Sequence, residues 1–131
     1  MNNYDNREVK TYPNIARYID RLFYSMKEVA PDVPVYLTVC FTAQTMNAWI
    51  KAFKAPYDGY AVWNICTTTA NFKKVYSMLQ RYGKPVIISG MFGYAPYKEK
   101  KSWYKVLPTI SETNKKIEQA GFKGAIWLNL D

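Results

Sequence analysis

The sequence predicts an α/β fold of four parallel strands alternating with helices, and three observations carry the prediction. Val86-Ile87-Ile88 is an unbroken β-branched run, with Gly83 before it and Gly90 and Gly93 after it. A strand without polar alternation is expected to be buried on both faces, as in a parallel sheet covered by helices. Comparable apolar runs recur at residues 35–41, 60–66 and 124–129, separated by segments of helical spacing. Each unit also repeats one grammar: helix, Pro or Gly turn, apolar strand, polar or aromatic loop. Four such units form either half of a TIM (β/α)8 barrel or a small flavodoxin-like open sheet. Both architectures place ligand sites at the C-terminal strand ends.

Residues 1–13 read as a polar, irregular N-terminal segment ahead of a single domain spanning 1–131. Asn14 caps a first helix, whose apolar positions Ile15, Ile19, Leu22, Phe23, Met26 and Ala30 keep helical spacing until Pro31 and Pro34 end it. The strand at 35–41 follows. A second helix over 45–55 buries Met46, Trp49, Ile50 and Phe53, and Pro56 with the Asp58-Gly59 turn breaks it. After the strand at 60–66, a third helix over 70–81 carries Phe72, Val75, Tyr76 and Leu79, and Gly83 stands where a left-handed C-cap is wanted. The central strand, 86–90, opens into a long basic loop over 95–102. A fourth helix then starts at about 103 or 108 and runs to 119, with Ile110, Ile117 and Ala120 inward, before the last strand. Met26, Met46 and Met78 read as core packing.

Composition narrows the chemistry. The chain has 131 residues, 49% of them hydrophobic, which suits one globular domain and argues against disorder. Tyr (12) and Trp (4) raise the aromatic share to 17%, and such side chains suit recognition surfaces as well as half-wet cores. The net charge is +8, but the lysines are dispersed over helix faces rather than clustered, so nucleic acid is not the expected partner. There is no His, which removes Ser-His-Asp and Cys-His mechanisms within this chain, and Cys40 and Cys66 lack metal-ligand spacing. No Gly-rich phosphate loop is present, so no cofactor is expected. The first residues do not form a signal peptide and no apolar run reaches membrane-spanning length, so no membrane role is expected and the compartment is left open.

The segments Ala30-Pro31-Asp32-Val33-Pro34-Val35, Gly83-Lys84-Pro85-Val86-Ile87-Ile88-Ser89, Phe92-Gly93-Tyr94 and Gly121-Phe122-Lys123-Gly124-Ala125-Ile126-Trp127 resemble the fifth, seventh and eighth strands of a glycoside hydrolase (β/α)8 barrel. The style is closest to the clan of cellulases and β-mannanases, with Tyr57-Asp58-Gly59-Tyr60-Ala61-Val62-Trp63 as the sixth strand. The resemblance covers nearly the whole chain and implies the C-terminal half of such a barrel. In that clan the acid/base Glu ends the fourth strand, which this chain lacks or begins just after. The nucleophile Glu follows the seventh-strand run, where Gly90 and Met91 stand here. Retaining hydrolysis needs two carboxyls about 5 Å apart, so neither expected catalytic group is matched. Chitinase-like barrels also carry a Trp in the eighth strand, and their acidic fourth-strand motif is absent too.

The resemblance implies a carbohydrate-contacting domain without a complete carboxylate pair. One alternative is an active glycoside hydrolase completed by another segment or subunit. The other is a non-carbohydrate α/β interaction domain with a basic surface. Half a barrel leaves sheet edges open, so a homodimer, a complementing half or membership of a longer chain is expected. The substrate-binding candidates are Trp63, Asn64, Tyr94, Trp127 and Asn129 at strand ends, where aromatic faces stack on sugars and amides orient hydroxyls. Against this, Trp63 and Trp127 also suit a sheet–helix core, and the two Asn suit loop backbone. Asp131, Glu8 and Asp5 are the catalytic candidates, Glu8 and Asp5 standing where a fourth-strand loop would end.

Overall fold

A computed structural model describes residues 3–40, 43–64, 72–92 and 110–129. In order these form α1 (Asn3–Val29), β1 (Tyr36–Cys40), α2 (Ala43–Ala52), β2 (Gly59–Asn64), α3 (Phe72–Gln80), β3 (Val86–Phe92), α4 (Ile110–Ala120) and β4 (Ala125–Asn129). The four strands are parallel and sequential, β1-β2-β3-β4. The predicted architecture of alternating helices and parallel strands is therefore present, in an arrangement consistent with half a (β/α)8 barrel or an open α/β sheet.

Sequential order has a consequence. Right-handed crossovers that always step the same way put every helix on the same face. The register agrees: Leu37 pairs with Tyr60 and Tyr60 with Val86, and the next row runs Val39, Val62, Ile88, Ala125. These strand residues share one core with Ala16 and Phe23 of α1, Met46 and Ile50 of α2, Phe72, Val75 and Leu79 of α3, and Ile117 of α4. The alternate residues Thr38, Ala61, Trp63, Ile87, Ser89 and Ile126 take the other face by the two-residue strand period. Of these Thr38 is exposed, Ile126 is 63% exposed, Trp63, Ile87 and Ser89 are half-buried, and the small Ala61 is buried. Full burial on both faces, expected from the Val86–Ile88 run, is thus not met among the described residues, because the described helices share a core against one face.

The N-terminal reading needs two corrections. Residues 3–13 are helical rather than irregular, and α1 runs unbroken through Asn14, with Pro13 inside it. Pro13 removes one i→i−4 bond, but a continuous stripe spans it: Tyr12, Ala16 and Phe23 are buried and Ile19 packs beside them. Tyr12 meets Trp49 edge-on at 4.9 Å, anchoring the helix ahead of the point where a cap was expected. Second, Ile15, Leu22 and Met26 are exposed, although their spacing suggested core. The apolar arc of α1 is about 160° wide at about 100° per residue, and the core takes only the Tyr12–Phe23 side of it. Met46 is buried and Met78 half-buried, as their core reading requires.

Two local features fix the sheet. Gly59 lies where β1, β2 and the β3 entry converge: a Cβ built there would stand 2.6 Å from the Pro85 carbonyl oxygen and 2.8 Å from the Tyr36 ring. The second lies at the β1 edge. The Asp58 N–H donates to the Val35 carbonyl (2.9 Å), so Val35 points toward β2 and, by alternation, Thr38 points outward. The Trp49 indole N–H donates to that outward Thr38 carbonyl at 2.9 Å. The middle of an otherwise open edge is thereby covered from α2. Gly83 has φ +66°, as its expected C-cap role demands.

Gly59→Ala should cost about 1–3 kcal/mol in urea unfolding, through overpacking against fixed backbone. Trp49→Phe keeps most packing but loses the edge hydrogen bond. It should cost about 0.5–1.5 kcal/mol and raise thioflavin-positive aggregation, whereas unchanged aggregation would show that Trp49 does not guard the edge.

Candidate functional site

Parallel strands bring all their C-terminal ends to one rim. Register places Asn64 of β2, Gly90 of β3 and Trp127 of β4 in one row, and pairs Phe92 with Asn129 two residues further on. Strands lie about 4.8 Å apart, so the backbones of Asn64 and Trp127 flank Gly90 at a separation of about 10 Å. Trp63 pairs with Cys40 on one side and Ser89 on the other. By strand alternation it faces away from the helices, half-buried, and so does not fill the sheet–helix core.

Of the five binding candidates, then, four stand at the ends of β2 and β4, on either side of β3: Trp63 with its ring on the face away from the described helices, and Asn64, Trp127 and Asn129 by backbone position. Tyr94 and Asp131 lie outside the described residues. Asp5 and Glu8 lie in the first turns of α1, not in a loop. The direction of α1 sets their height. Lys27 reaches Asp58, just before β2, while Tyr12 meets Trp49 at the level of Thr38 in mid-β1. The helix therefore runs antiparallel to the strands, and its N-terminal turns rise on the rim side, within the helix layer.

The strongest polar constellations sit at the opposite end of the sheet. The Asp58 carboxylate accepts the Lys27 ammonium (2.8 Å) and the Val35 N–H (2.7 Å), and Lys27 also donates to the Val33 carbonyl (2.9 Å). The Lys27 hydrogen bond, then that of the Val35 N–H, holds the Asp58 carboxyl below the usual carboxylate range. Asp20 accepts the Tyr57 hydroxyl and the Lys54 N–H, each at 2.8 Å. Burial, together with the hydrogen bond to Asp20 and its negative charge, pushes the Tyr57 phenol well up. Burial also raises Tyr60, with Tyr82 adding to it. Arg81 and the Tyr82 hydroxyl both donate to the Asn47 amide oxygen. These groups tie strand entries to helices, and in barrel-like folds that end carries stability while the other carries chemistry.

Sequence reasoning passed over Thr38, Ala61, Ser89 and Ile126, which share the uncovered face with Trp63. The signal was present as alternation: Thr38 between Leu37 and Val39, Ala61 between Tyr60 and Val62, Ser89 after Ile88. Among the described residues no three His, Cys, Asp or Glu cluster as metal ligands, and no helix is long and apolar enough to cross a membrane. Compared with known proteins, the chain matches no protein-family model, and no curated protein or solved structure matches it. What the geometry defines is a class: an α/β protein with a four-stranded parallel sheet whose described helices pack on one face, with Trp63 on the other.

The Asp58 clamp has a pH signature. A carboxyl depressed in the folded state stabilises the fold above its unfolded value and loses that contribution as pH falls through the folded one. Asp58→Asn should lower the Tm at pH 7, and its gap to wild type should close on acidification below about pH 4. A gap that stays constant down to pH 3 would contradict the assignment.

Proposed function

We propose that this chain is a glycoside-hydrolase-like domain that contacts carbohydrate through its strand-end aromatics and lacks a complete catalytic carboxylate pair of its own. The observation that carries the reading is Trp63: an indole at the C-terminal end of β2, on the face opposite the described helices, half-exposed beside Ser89. An aromatic face there buries the C–H face of a sugar ring, and neighbouring polar groups bond its hydroxyls. Exposed Thr38 and half-buried Ser89 supply hydroxyls on the same face. Asn64, Trp127 and Asn129 occupy adjoining rim positions by register.

The same rim supports binding rather than turnover. An oxocarbenium-like transition state needs an anion and an acid flanking one bond. The row between Asn64 and Trp127 is occupied by Gly90, which has no side chain to provide either. Ground-state contacts then persist without differential stabilisation of a transition state.

Glycan-array binding tests the reading directly. Wild type should retain a defined set of oligosaccharides, and Trp63→Ala should weaken binding at least tenfold with unchanged circular dichroism; Tyr94→Ala should weaken it as well. Folded protein that retains no glycan would refute a carbohydrate role. Turnover of a chromogenic glycoside by the chain alone would instead support the active hydrolase.

A further inference from the structure

The exposed side of α1 carries a second pattern, independent of the rim. Positions 15, 18, 22, 25 and 29 recur at alternating three- and four-residue intervals, the a/d spacing of a helix-pairing seam. Ile15, Tyr18, Leu22 and Val29 occupy four of them and all are exposed, Leu22 at 61% and Val29 at 88%; Met26 widens the seam toward the core. The fifth is Ser25, small enough to let another helix approach closely. Beside the seam a groove of about 720 Å³ opens among Leu22, Met26, Val29, Val33, Pro34 and Tyr36.

The charges along this seam complement themselves. Arg21 and Glu28 are seven residues apart on the flank turned away from the core, the g positions of the repeat. In an antiparallel pair of identical helices, g faces g. A two-fold axis between Phe23 and Tyr24 sets Leu22 against the partner's Ser25 and Tyr18 against the partner's Val29. It brings Arg21 close to the partner's Glu28, and symmetry repeats that ion pair. The Tyr18 ring meets the partner's groove at the partner's Val29. An unrelated helix would need its own matched acid and base, whereas a second copy brings both. We propose that this chain forms a two-fold dimer through antiparallel pairing of α1. Trp49 already covers the outward Thr38 carbonyl of β1, so the pairing runs through the helix and not by adding a strand at that edge.

Sedimentation equilibrium on the full chain tests it. Wild type should be dimeric and Leu22→Glu monomeric, with the circular dichroism of wild type because Leu22 is a surface residue. Arg21→Glu and Glu28→Arg should each weaken the dimer roughly tenfold, and the double variant should restore it. Ile126→Asp, on the uncovered sheet face, should leave the dimer unchanged. A monomeric wild type at the highest concentration reached, a dimer that survives Leu22→Glu, or no recovery in the double variant would overturn the proposal. Loss of the dimer in Ile126→Asp would place the contact on the sheet and overturn it equally.

Discussion

The structure depends on one topological constraint: four parallel strands laid down in sequence with no reversal of order, which under the right-handed crossover rule sends the connecting segments to one face. A flavodoxin-like sheet reverses its order once and so receives helices on both faces. Here there is no reversal, and the described helices share one core against one face. Leu37, Val39, Tyr60, Val62, Val86 and Ile88 are all buried in it, while the alternate row mixes Thr38, Ala61 and Ser89 with the larger Trp63, Ile87 and Ile126.

Among the described residues the helices add burial to one face of the sheet, and other interactions reinforce that single layer. An aromatic chain runs from Tyr12 to Trp49, Phe53, Tyr57 and Phe23, with centroid separations of 4.8–5.8 Å. Each such pair contributes about 0.5–1.5 kcal/mol beyond area burial, which explains much of the aromatic excess without any ligand. The Lys27–Asp58–Val35 clamp then ties the end of α1 to the entries of β1 and β2. Structural Tyr and Phe thus gather in the helix layer, and Trp63 stands apart from them on the other face.

How far the sequence discloses this depends on the kind of signal. Strand positions are legible because Val, Ile and Tyr runs bounded by Pro and Gly admit few alternatives, and Gly83 is legible because its φ of +66° suits glycine. The sidedness of the sheet is harder, since Val86-Ile87-Ile88 reads as buried on both faces whether or not a second layer exists. The course of α1 is misread for a related reason. Pro13 suggests a boundary, yet Tyr12 is anchored by Trp49, a contact 37 residues away (49 − 12) that no local pattern contains. Spacing likewise marks Ile15, Leu22 and Met26 as core, because periodicity reports that a face is apolar and not what covers it. At the rim, parallel register alone brings Asn64, Gly90 and Trp127 into one row, and that register is a tertiary fact.

The edge and the helix seam bear on each other. Closing a parallel sheet by adding a strand at β1 would require the outward groups of Tyr36 and Thr38, and Trp49 already bonds the Thr38 carbonyl at 2.9 Å. Undoing that contact would also disturb the edge-on Tyr12 contact that holds α1 ahead of Pro13. The cheaper surface to cover is the one already desolvated on one side, the α1 arc whose core half is packed. A partner that approaches there leaves the uncovered sheet face, and Trp63 with it, open to solvent. The proposed pairing and the proposed recognition surface would then lie on opposite sides of the sheet, neither obstructing the other.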